Sequence, residues 1–251
     1  MKQWKAVHTI TESLKKDPLV KAVYLKGSLG RGEEDKHSDV DLYVLVEEEA
    51  AFLKKRYDHI KTFGEPIFYD DIFIIAPQVI AVYSNLLHLD LFTVTEGTLI
   101  EKDYYKVLYD PDQRMQHMKE DLTLSDQAFL DAVDDVAFFL LQYKKAAGRG
   151  NAIWANKVVH DIATELAKIL LHHYCPERAQ LGLKDVGHSL SSTYQKKLDL
   201  ILTSSHSTTI SIIIELLEEE LEWLTIQLSH RPYTIPFLKR MMEEFSWTKS
   251  V

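Results

Sequence analysis

Trp4, Val7, Ile10 and Leu14 recur at helical spacing until Asp17-Pro18 interrupts them, so a helix opens the chain. The pattern then changes period. Residues 20–26 and 40–46 are rich in residues that suit a pleat, and a polar, charged connection separates them. The charged stretch 47–61 predicts a returning helix. Three further apolar runs, at 72–76, 79–83 and 88–94, are divided by Pro77 and by Ser84-Asn85 and predict strands, giving a mixed sheet of about five. Asp70-Asp71, between Tyr69 and the next apolar run, reads as a turn.

Past Asp110-Pro111 the strand-like segments stop and the period becomes helical. Val133, Val136, Leu140 and Leu141 form one apolar stripe that Gly148 and Gly150 end. Ala155, Val159, Ile162, Leu166 and Ile169 form the next, closed by Pro176. A further stripe, Ile213, Leu217, Leu221, Leu224 and Leu228, faces away from Glu215, Glu218, Glu219 and Glu222, and Pro232 and Pro236 punctuate a short terminal helix. The fold class expected is α+β: an N-terminal mixed-sheet domain over 1–118, then a C-terminal helical bundle over 119–251. No internal repeat or low-complexity segment interrupts this division.

Composition narrows the function. The chain has 251 residues and a formal net charge of −9, which opposes broad binding to a nucleic-acid backbone because that mode needs a basic surface. No apolar run approaches the roughly 20 residues of a membrane span, and the first residues, Met1-Lys2-Gln3-Trp4, lack the apolar core of a signal peptide. A cytoplasmic protein without membrane contact is expected. The single cysteine, Cys175, leaves no internal disulfide and no thiolate cage for zinc.

The chemistry concentrates in Lys26-Gly27-Ser28-Leu29-Gly30-Arg31-Gly32 and in Ser38-Asp39-Val40-Asp41, which leads into an apolar strand. Alternate residues of a strand share a face, so Asp39 and Asp41 present two carboxylates about 6.5 Å apart along the strand. Such a pair can share magnesium ions, one activating an attacking hydroxyl and the other stabilising the leaving oxygens of a triphosphate. Gly27 lets backbone approach a phosphate, and Ser28 offers its hydroxyl and amide near a helix start. Arg31 follows closely enough to pair with phosphate or to lie in solvent.

Gly-Ser, a spacer, then Asp-x-Asp at the start of an apolar strand resembles the nucleotidyltransferase superfamily that includes DNA polymerase β and the antibiotic nucleotidyltransferases. The resemblance covers about the first third of the chain. It implies a third carboxylate on a neighbouring strand, and Asp90 in His88-Leu89-Asp90-Leu91-Phe92 fits, either completing the metal site or accepting the proton of the incoming hydroxyl. With its helix, Arg149-Gly150 and next helix, the second half is similar to two-domain lincosamide nucleotidyltransferases, and comparable helical domains complete the substrate cleft of aminoglycoside enzymes. Asp41 stands where some lincosamide enzymes carry Glu.

The resemblance thus implies a catalytic domain and a helical substrate-binding domain. It also implies Mg2+, with a nucleoside triphosphate, ATP being the one expected, as co-substrate. A nucleoside monophosphate would pass to a hydroxyl of a small molecule, an antibiotic among the candidates and hence antibiotic resistance among the roles, with pyrophosphate leaving. Lys157, on the polar side of its helix with His160, Asp161 and Thr164, is a candidate for the triphosphate. Asp131, Asp134 and Asp135 share a helix face that suits either an amine-bearing acceptor or plain solvent. The alternative is an antitoxin-like or regulatory module that binds or modifies a protein partner, although the bundle has no Arg-x4-His ribonuclease-type motif. Homodimerisation stays open.

Overall fold

The computed structural model describes residues 1–74, 76–100, 102–204 and 206–246. The chain divides into two compact units, Met1–Asp121 and Leu122–Val251.

In the first unit, α1 (Lys2–Leu14) packs Ala6, Val7, Ile10 and Leu14 into the core, as the 3.6-residue period requires. Six strands form one mixed sheet in the order β3-β4-β5-β2-β1-β7: β1 Val20–Leu25, β2 Val40–Val46, β3 Phe68–Ile72, β4 Gln78–Val82, β5 His88–Val94 and β7 Lys106–Tyr109. The pairing of β2 with β5 is parallel, and the other pairs are antiparallel. A two-residue parallel bridge joins β6 (Lys102–Asp103) to β8 (Lys119–Glu120). Val40, Leu42 and Val44 of β2 enter the core shared with α1, while Tyr43 and Leu45 alternate to the other face beside Tyr24 and Val94.

Three local expectations are corrected. The stretch 47–61 forms two short helices, α3 (Glu49–Leu53) and α4 (Arg56–Lys61), because Phe52 and Ile60 each enter the core across the break at Lys54-Lys55. Asp70 and Asp71 are strand residues of β3, not a turn; they survive there because β3 is an edge strand and Asp71 accepts from the buried Arg56 at 2.5 Å. The strand expected at 72–76 begins earlier, at Phe68, and Ile75 lies outside the described residues. The sixth strand, β7, is an edge strand of four residues in which Val107, Leu108 and Tyr109 are contiguous, so it is too short to show alternation.

The second unit is helical. Helices α5 (Asp126–Gly148) and α6 (Ala152–Tyr174) start at side-chain caps, Ser125 accepting from Ala128 N and Asn151 from Trp154 N. A 3-10 helix (Pro176–Lys184) and short α7 (Val186–Ser189) lead to α8 (Ser192–Thr203), which the sequence pattern did not announce. Helices α9 (His206–Gln227) and α10 (Thr234–Ser246) complete the bundle around Val136, Leu140, Ile162, Leu166, Leu217 and Leu238. Glu220 is an exception to the wet stripe of α9: it is buried and accepts from Tyr174, with His173 Nδ1 also against it at 2.6 Å. Among the described residues, no helix is long and apolar enough to cross a membrane.

Candidate functional site

The turn between β1 and β2 is built by glycine. Gly27 opens the five-residue helix α2 (Gly27–Arg31) at φ +62°, and a Cβ there would lie 2.0 Å from Oδ2 of Asp41. The Asp41 carboxylate therefore lies against the bare Cα of Gly27, so any larger residue would collide with it and also adopt a disfavoured backbone. Gly30 is also closely packed, since a Cβ there would meet the Leu25 carbonyl at 2.8 Å. The Lys26 amide donates to the Asp41 carbonyl at 3.0 Å, pinning the turn to β2.

The parallel pairing of β2 with β5 puts Asp41 in register with Asp90 and Tyr43 in register with Phe92. Residues in register on neighbouring strands share a face, so the two acids project from the side opposite α1. Asp39, two residues before Asp41, continues that face. Asp39, His88 and Asp90 each offer a ligand atom, and these atoms lie within 4.8 Å of one another. His88 Nε2 stands 3.1 Å from Asp90 Oδ1, and His88 Nδ1 stands 3.9 Å from Asp39 Oδ2. Asp90 is buried, whereas Asp39 is exposed and His88 half-exposed.

The floor under these acids is aromatic. Tyr24, Tyr43 and Phe92 stack across β1, β2 and β5 with centroids 5.1 and 4.4 Å apart. Lys26, buried, pairs with Asp103 at 2.6 Å and lies 4.8 Å from the centre of the Tyr43 ring. Burial pushes the Tyr43 hydroxyl well above the ordinary tyrosine range, and the carboxylates of Asp41, Asp103 and Asp90 push it the same way.

The remaining expected residues fall in different places. Ser28 occupies the first turn of α2, half-buried, and its hydroxyl has no partner among the described residues. Arg31 donates from Nε to Glu33 at 2.8 Å. Lys157 belongs to α6 of the second unit, where it pairs with Asp161 at 2.5 Å and lies over the Trp154 ring. His88 and Lys26 were assigned no role from sequence. The period-two spacing of His88 and Asp90 was a legible signal for the first, and adjacency to Gly27 for the second.

The donors suit a divalent cation. Carboxylate oxygens favour magnesium or manganese, and an imidazole shifts preference towards the latter. Residues 8–79 match the family model described as "Polymerase beta, Nucleotidyltransferase". The chain carries a polymerase β-type nucleotidyltransferase domain. That domain match contains the glycine turn, Asp39 and Asp41 and stops before His88 and Asp90, which the sheet register adds.

No curated protein matches the chain. Among solved structures, an aminoglycoside 6-adenyltransferase from Bacillus subtilis is similar at 13% identity and TM-score 0.43, over 97% of each chain. A nucleotidyltransferase-like protein from Exiguobacterium sibiricum is similar at 14% and 0.39, covering 90% of this chain and 78% of that one. A STING-associated CdnE c-di-GMP synthase from Capnocytophaga granulosa is similar at 14% and 0.34, covering 98% and 78%.

Proposed function

We propose that this nucleotidyltransferase moves a nucleoside monophosphate from a nucleoside triphosphate, ATP in the first instance, to a hydroxyl of a small molecule, with pyrophosphate leaving. The observation that carries the reading is the parallel register of Asp41 with Asp90, with Asp39 on the same face and glycine alone fitting against Asp41.

Asp39, Asp41 and Asp90 would hold the divalent metal, whose chemistry is to polarise the phosphoryl oxygens and lower the pKa of an attacking hydroxyl. Gly27 leaves room for a phosphate beside the backbone, and the free Ser28 hydroxyl and adjacent amides supply donors to it. Arg31 would exchange Glu33 for a phosphate oxygen, and Lys157 would exchange Asp161 likewise. His88 orients the Asp90 carboxylate through its 3.1 Å contact, in either role that Asp90 takes: metal ligand or acceptor of the acceptor's proton. The work asked of these residues is positioning and charge neutralisation, the main requirements of phosphoryl-type transfer. The helical unit supplies acceptor recognition, and hydroxylated antibiotics belong in the acceptor screen.

The test is calorimetric titration with ATP and with GTP, in magnesium and then in excess chelator, on the wild type and Asp39→Ala. Magnesium-dependent binding that the variant loses supports the reading. Absence of binding to both nucleotides removes it and favours a protein-binding module.

A further inference from the structure

The second unit contains a cavity of about 560 Å³ that shares no residue with the metal site. One wall is a stripe of α5, Leu130, Asp134 and Phe138, spaced four residues apart and therefore stacked on one helix face. The other comes from the segment entering α10, with Arg231, Tyr233 and Phe237. Phe138 and Phe237 meet edge to face with centroids 5.7 Å apart. The volume lies within the roughly 300–1,000 Å³ usual for small-molecule sites, and the walls have their usual character, apolar with a few polar groups.

Two of those polar groups are charged and opposite in sign. Neither the Asp134 carboxylate nor the Arg231 guanidinium has a hydrogen-bond or ion-pair partner among the described residues, and they do not pair with each other. Other charges of the bundle are paired, Lys157 with Asp161, Lys197 with Glu215 and Glu219, and Arg178 with Asp185, and some, such as Asp135 and Lys239, are not paired among the described residues; what distinguishes Asp134 and Arg231 is that both line one cavity. Phe138 and Tyr233 are exposed, so their ring faces are accessible beside the two charges.

We infer that this cavity binds a small zwitterion, its ammonium received by Asp134, its anionic group by Arg231, and its flat apolar body by Phe138, Tyr233 and Phe237. A cation alone would leave Arg231 facing it, and an anion alone would face Asp134; only a ligand carrying both charges satisfies both walls. Arg231 can meet a carboxylate through two parallel N–H bonds, and the aromatic faces add attraction to an ammonium. The site uses none of the residues assigned to the metal or the triphosphate, although Asp134 belongs to the acidic helix face that also suited an amine-bearing acceptor.

The experiment is titration of the full chain with L-tryptophan, tryptamine, indole-3-propionate and indole, followed by calorimetry and by the fluorine resonance of 4-fluorophenylalanine at position 138. Tryptophan should bind saturably and at least about tenfold tighter than the two singly charged analogues, which is about 1.4 kcal/mol. Asp134→Asn should bind tryptophan and indole-3-propionate alike, and Arg231→Gln should bind tryptophan and tryptamine alike. Both positions are surface side chains without partners, so thermal unfolding should match the wild type. Absence of saturable tryptophan binding, or binding that neither variant changes, overturns the inference. Magnesium-dependent ATP binding measured on the same variants should be unchanged, so failure here leaves the metal-site reading standing.

Discussion

Asp39, Asp41 and Asp90 are best separated from one another by substitution, because each sits differently. Asp39 is exposed and outside the strand core, so Asp39→Ala should abolish magnesium-dependent transfer while leaving thermal unfolding unchanged. Normal turnover by that variant would remove the metal assignment. Gly27→Ala should cost about 1–2 kcal/mol from its positive φ alone. It should also displace the Asp41 carboxylate, so that metal binding falls along with stability in denaturant titrations. His88→Ala removes the side chain that orients Asp90. Affinity for Mg2+ and for Mn2+ should fall alike by about 10–100-fold, as read by calorimetry of each ion; a loss confined to Mn2+ would make His88 a metal ligand itself. Asp39, just before β2, and Asp41 and Asp90, within β2 and β5, stand out in the sequence because an acid at or inside an apolar strand is uncommon. His88 had only its period-two spacing with Asp90 as a signal, and a histidine at a strand start is too ordinary for that spacing to assign it a role.

Elements are held by local chemistry that the sequence only partly announces. Ser125→Ala and Asn151→Ala each remove the side chain that caps α5 or α6, and each should lower stability by about 1 kcal/mol in urea unfolding. At the end of α1, Asp17 ties the entry of β1 to α4. Burial pushes its carboxyl up, but the Leu19 amide, Lys55 and His59 outweigh burial and hold it below the ordinary aspartate range. The folded state therefore binds a proton less readily than the unfolded chain, and the network's stabilisation is present above about pH 4 and lost as the pH falls through the lowered folded value. Asp17→Asn should be less stable than the wild type at pH 7, and the gap should close in strong acid. The edge strands β3 and β7 show where reading by pattern stops. Half of each strand's hydrogen-bonding groups face no neighbour in the sheet, so selection for alternation is weak, and Asp70-Asp71 passes as a turn until the β4 partner is known.

Each unit has its own core: Leu42, Leu89 and Ile10 in the first, and Leu140, Leu166 and Leu217 in the second. Residues 1–121 expressed alone should therefore unfold cooperatively in urea, with a single midpoint by fluorescence and circular dichroism. A broad, probe-dependent transition would show that this unit's core depends on the helical half.

From the linear order of residues came the division into a strand-bearing half and a helical half, the glycine turn, and the Asp39–Asp41 pair. All three depend on local properties: the period of apolar side chains, the φ freedom of glycine, and residues i and i+2 of a strand sharing a face. The parallel register that aligns Asp90 with Asp41 could not be read that way, because pairing partners 49 positions apart are fixed by packing of the whole sheet. The same holds for His88 between two carboxylates and for Asp134 and Arg231 facing one cavity. Those groups come from separate segments, and folding alone brings them within reach of one another.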